Sequence, residues 1–135
     1  MIKKENEIKV LLVRPDRKPI PVRIENKLEI MQKLVGGLIE QFFYFPDEPE
    51  VVCVFNEEGK VTNLPLNRAM FDENNNLIDI IAGDFFVALA PSDSEYYHSL
   101  PDELIEKYSL RFNLAEKFYL DESGRIKVID YMTSY

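Results

Sequence analysis

An α+β fold is what this sequence predicts: a mainly antiparallel sheet of about five to seven strands, packed by two short helices. Three observations carry the prediction. The chain has 135 residues, a length that favours one hydrophobic core over two, so residues 1–135 read as a single domain. Short apolar runs alternate with clusters of proline, glycine, asparagine and aspartate, the pattern of strands and turns. Two further stretches repeat apolar residues at helical spacing behind a start signal.

In chain order, residues 8–13 are rich in Ile, Val and Leu and read as a strand covered on both faces. The break at Arg14-Pro15-Asp16-Arg17-Lys18-Pro19 suits a type I turn. Ile20, Val22 and Ile24 then alternate with polar neighbours, giving the second arm of a hairpin. Pro21 places that arm at a sheet edge. Asn26 and Glu29 form a capping-box pattern ahead of a helix that buries Leu28, Met31, Leu34 and Val35. Gly36-Gly37 stops it. Leu38–Phe45 reads as a strand, Pro46–Glu50 as a turn and Val51–Phe55 as a strand. Asn56-Glu57-Glu58-Gly59 predicts a hairpin turn with Gly59 left-handed, and Lys60–Leu64 the returning strand. Residues 65–76 show no period and read as a long irregular loop. Leu77–Ala82 and Asp84–Ala90 are apolar runs split by Gly83, at a bulge or tight bend, and the second run reads as a central strand. Ser99 or Leu100 precedes a second helix, with Pro101, Asp102 and Glu103 in its first turn and Leu104, Ile105, Tyr108 and Phe112 on its buried face. Residues 113–135 form a C-terminal extension, a hairpin about Asp121–Gly124 or a docked tail.

Charge is unevenly spread. The net charge is −8, yet residues 1–35 are net basic and the remainder strongly acidic. No Lys or Arg occurs in residues 34–59 or 69–106. An acidic surface keeps a protein soluble, repels nucleic-acid phosphates and steers towards basic partners. The basic residues of the first third, Arg14, Arg17 and Lys18 among them, are interspersed with acids and do not form the uncompensated cluster that nucleic-acid binding requires. Cys53, the single cysteine, sits in an apolar run and reads as buried; no disulfide can form within the chain. No signal peptide and no apolar stretch of membrane-span length is present, so a cytoplasmic location is expected.

No catalytic constellation stands out. With His98 as the only histidine, a Ser-His-Asp triad or a His-based metal site is not expected. The five glycines form neither GxGxxG nor a phosphate loop, and there is no CxxC. The expectation is therefore no catalytic residue, no metal and no cofactor, with the chain leaning away from an enzyme. Asn67-Arg68 is the notable pair. Arg68 is the sole basic residue between Lys60 and Lys107 and is flanked by apolar residues. One reading ties the loop to Asp72, Asp79 or Asp84 through it; the other recognises an anion through the planar guanidinium.

Four ordered segments carry a resemblance: Gly36-Gly37-Leu38-Ile39-Glu40, Asn56-Glu57-Glu58-Gly59-Lys60, Leu64-Pro65-Leu66-Asn67-Arg68-Ala69 and Asp79 through Phe86. Together they resemble the domain-of-unknown-function family numbered 3846, over residues 8–112. The resemblance implies a bacterial setting, with phages and mobile elements included, and implies no activity, cofactor or catalytic residue.

Two functions follow as expectations. The first is a non-catalytic acidic interaction module that binds a protein partner, a basic one by charge. The second is a small-ligand-binding or enzymatic domain with a polar site around Asn56, Asn67, Arg68 and Asp84.

Overall fold

The computed structural model describes residues 3–131. Among them, in chain order, are β1 (Glu7–Val13), β2 (Ile20–Glu25), α1 (Leu28–Val35), β3 (Ile39–Phe42), β4 (Val51–Asn56), β5 (Leu66–Phe71), β6 (Leu77–Ala82), β7 (Phe85–Leu89), α2 (Asp102–Arg111), β8 (Ala115–Leu120) and β9 (Ile126–Tyr131). Five strands form the main sheet in the order β2-β1-β7-β4-β3, while β5-β6 and β8-β9 form two-stranded sheets. Every ladder is antiparallel. The fold is α+β, as expected.

Both faces of the main sheet are covered, which is why β1, β4 and β7 are apolar along most of their length. On one face, Ile8, Val10, Val52, Val54, Phe86 and Ala88 pack against Met31 and Val35 of α1. On the other, Leu11, Val13, Cys53, Phe85 and Val87 pack against Ile105 and Tyr108 of α2 and Phe112 just after it, with Met70 and Ile81 from the β5-β6 hairpin. Cys53 is buried there, and burial pushes its thiol well above the usual range.

Several expectations need correction. The irregular loop of 65–76 is a hairpin: Leu66–Phe71 is strand β5, and only the stretch after it turns, around Asp72. Asn56–Gly59 does not open a hairpin and Lys60–Leu64 is not a strand; this stretch coils through Thr62 N to Glu58 O (2.9 Å) and Leu64 N to Gly59 O (2.9 Å). The left-handed residue in it is Asn63 (φ 60°), not Gly59. Gly59 is required for room instead, since a Cβ there would lie 2.9 Å from Ala82 O. The strand read over Leu38–Phe45 shortens to Ile39–Phe42, after which Tyr44 and Phe45 turn into the core.

Asn26 does not cap α1. Its buried amide donates to Glu5 O (2.9 Å) and Tyr97 O (3.0 Å), and Lys27 occupies the cap position. Leu28, expected on the buried stripe, is 54% exposed because it stands in the first turn, beyond the reach of the sheet. Pro101, not Ser99 or Leu100, is the cap residue of α2. Gly83 makes a tight turn at φ 81° between β6 and β7, a conformation that a side chain would strain. The extension after 113 forms the β8-β9 hairpin; residues 132–135 lie outside the described residues.

Candidate functional site

Strand β5 places the Asn67-Arg68 pair in an unusual way. Alternation would send one of two successive residues outward. A register irregularity between Leu66 and Arg68 lets both turn inward, and each is 0% exposed.

Among the described residues Arg68 forms no salt bridge. Arg68 Nη2 donates to the carbonyls of Arg17 (2.7 Å) and Phe112 (2.9 Å), and Nη1 donates to Asn67 Oδ1 (2.8 Å) and, at 3.4 Å, to Arg14 O. The expected ties to Asp72, Asp79 or Asp84 are absent; the guanidinium is bound by main-chain oxygens and the Asn67 amide oxygen. Burial lowers its proton affinity, offset by the fields of Glu116, Asp16 and Asp130. Its Nε has no hydrogen-bond partner among the described residues.

Asn67 Nδ2 donates to Val13 O (3.0 Å) and Gly83 O (2.8 Å). Asn56, also buried, donates to Val35 O (3.2 Å), and its Oδ1 accepts from Glu58 N (2.8 Å). A Cβ at Gly37 would sit 2.8 Å from the Asn56 amide, so glycine lets that amide reach the end of α1.

These three buried side chains hold different stretches of backbone around one cleft. Arg68 holds the Arg14–Arg17 turn, Asn67 holds Val13 and Gly83, and Asn56 holds the C-terminus of α1. Between those stretches lies a cavity of about 500 Å³, within the range that holds small ligands. Arg14, Arg17 and Lys33 supply cations to its wall, and Asp16 and Asp84 supply carboxylates. Within the turn that Arg68 grips, Arg17 N donates to Arg14 O (3.3 Å) and Asp16 adopts φ 64°, so the turn is not the expected type I; aspartate, like asparagine, tolerates the left-handed conformation. Burial pushes the Asp84 carboxyl above the usual range, and the Arg14 charge opposes that rise.

Of the four residues singled out in the sequence, Asp84 alone lines this cleft. Asn67 and Arg68 lie beneath it as supports, and Asn56 supports one wall while its own accessible side borders a second groove. Arg14 and Arg17 belong to the basic first third of the chain. Lys33 was not singled out; nothing in its helical surroundings distinguishes it from a solvated lysine. His98 is far from this chemistry, its ring nitrogens 3.1 Å from Glu5 Oε2 and 2.8 Å from Ser94 Oγ.

Compared with known families, residues 8–113 match the one described as a domain of unknown function, DUF3846. No curated protein and no solved structure matches the chain.

Proposed function

The chain belongs to the DUF3846 family, and from that starting point we propose that it is a non-catalytic binding module whose cleft takes a small anionic ligand bearing a hydroxyl or amino group. The observation that supports this reading is the triple anchoring of the cleft backbone by Asn56, Asn67 and Arg68. Burying an arginine among carbonyls is costly unless its hydrogen bonds are made. Here those bonds fix the turn that carries Arg14, Asp16 and Arg17. A preorganised site loses less entropy when it binds.

The charges favour an anion. Arg14, Arg17 and Lys33 outnumber Asp16 and Asp84, and the Arg68 charge lies directly behind the turn. The carboxylates would accept hydrogen bonds from the ligand's donors. The cytoplasmic, bacterial setting belongs to the same proposal.

Chemical-shift titration with glycerol 3-phosphate, inorganic phosphate and putrescine tests it. Shifts should appear around Arg14–Arg17 and Gly83–Asp84 with the two anions and not with the dication. Arg14→Ala and Lys33→Ala should each weaken glycerol 3-phosphate binding several-fold, the size expected for loss of one exposed charge. Binding of putrescine instead, or shifts confined to other surfaces, would refute the assignment.

The acidic protein-interaction reading is supported by a different observation, the open edge of the main sheet.

A further inference from the structure

The two edges of the main sheet are unlike. At β2, Pro21 stands opposite Leu11 and cannot donate to a neighbouring strand. At β3 nothing comparable blocks the edge. The hydrogen bond from Glu57 N to Leu38 O (2.8 Å) sets the phase of the β3-β4 ladder. With Glu40 opposite Phe55 and Phe42 opposite Cys53, the main-chain groups of Leu38, Glu40 and Phe42 point to β4. Those of Ile39 and Gln41 therefore point outward, and among the described residues no backbone hydrogen bond reaches them.

The side chains beside that edge are apolar and acidic. Leu38, Phe42 and Phe43 are 57%, 51% and 42% exposed. Glu40 and Glu57 form no ion pair among the described residues, whereas Lys60, the one cation lining the groove beside them, is engaged by Asp79 at 2.7 Å. Phe42, Phe55 and Val61 line a groove of about 410 Å³ alongside β3, with Glu40 and Glu57 on its rim. Glu40 and Phe42 share one face of β3, with Phe55 opposite Glu40, so the lysines of an added strand would lie on that face beside the glutamates and its apolar residues on the opposite face with Ile39.

We propose that the β3 edge takes an extended segment of a partner protein in which lysine or arginine alternates with apolar residues. Main-chain pairing to Ile39 and Gln41 supplies affinity, and the groove with its two glutamates supplies selectivity. A second copy of the chain is a poor occupant. Each copy carries net charge −8, and a four-residue strand buries far less than the ~1,200 Å² typical of a stable interface. This surface lies apart from the cleft and does not depend on it.

The test uses a short peptide alternating lysine and valine, with a glutamate–valine peptide as control. Binding is measured by fluorescence anisotropy, and protection of the Ile39 and Gln41 amides by hydrogen exchange. Because the Gln41 N–H points outward, Gln41→Pro removes the docking donor while sparing the bonds to β4. The Gln41 side chain also accepts a hydrogen bond from the Tyr97 hydroxyl, so Gln41→Ala is the matched control. The lysine–valine peptide should bind the native protein and Gln41→Ala alike and bind Gln41→Pro at least about tenfold more weakly, a difference of roughly 1.4 kcal/mol. Glu40→Lys should weaken it roughly three- to tenfold, and added salt should weaken it further. Should Gln41→Pro fail to fold, the same peptide N-methylated at alternate amides must lose binding to the native protein. Equal affinity for the two Gln41 variants, protection at other strands, or a native dimer that Gln41→Pro dissolves would each overturn the proposal.

Discussion

Arg68 concentrates the physics of this protein in one side chain. It is fully buried, carries a charge and spends its bonds on carbonyls from two separate segments, the Arg14–Arg17 turn and the end of α2 at Phe112. Truncation to Ala leaves those oxygens unpaired and opens a void, so Arg68→Ala should lower unfolding stability by about 3 kcal/mol or more in denaturant titration. A fold that survives unchanged would mean that the guanidinium does not hold the Arg14–Arg17 turn. Asp84 gives the complementary case. Its carboxyl is raised mainly by burial, so the native state binds that proton more tightly than the unfolded chain does. The resulting stability is fullest below the unfolded carboxylate range and is lost as pH rises through the folded value. Asp84→Asn should therefore melt higher than the native protein at neutral pH, with the gap closing in acid; a gap that widens in acid would reverse the sign of this argument.

Elements that bury a regular apolar face were legible in the sequence, and those that break alternation were not. Strands β1, β4 and β7 announce themselves by the apolar runs Val10–Val13, Val51–Phe55 and Phe85–Leu89. Strand β5 hides because its inward residues include the adjacent polar pair Asn67 and Arg68, permitted by a bulge that no local signal marks. Pro65 and the acid- and asparagine-rich turn after Phe71 then give the whole stretch the look of a loop. The same blindness reached the site: Arg68 stood out by its isolation, yet its carbonyl partners are up to 54 residues away in sequence. The β8-β9 hairpin differs again. It contributes Ala115 to the interior and one Glu116–Ala69 hydrogen bond of 2.8 Å, while Tyr119, Leu120, Ile126 and Ile129 stay exposed. Its amides should exchange with deuterium well before those of β1, β4 and β7, whose faces are both covered. Comparable protection in the two sets would show that the hairpin opens only with the core.

Viewed whole, the molecule separates its charges. The net-basic first third supplies Arg14, Arg17 and Lys33 to the cleft, and the acidic remainder supplies Glu40 and Glu57 to the β3 edge. Two surfaces of different charge thus stand on one chain whose net charge alone, −8, would have suggested a single acidic exterior. Composition reports the sum, and only the fold sorts the terms.

The strand order β2-β1-β7-β4-β3 also bears on how the chain is made. During synthesis β1 can pair with β2 as soon as that strand follows it, but its other neighbour, β7, comes some seventy residues later. Until then a run of valine and leucine has one margin unmatched. The nascent polypeptide must wait on the ribosome with a sticky segment on show, the kind of delay that chaperones exist to cover.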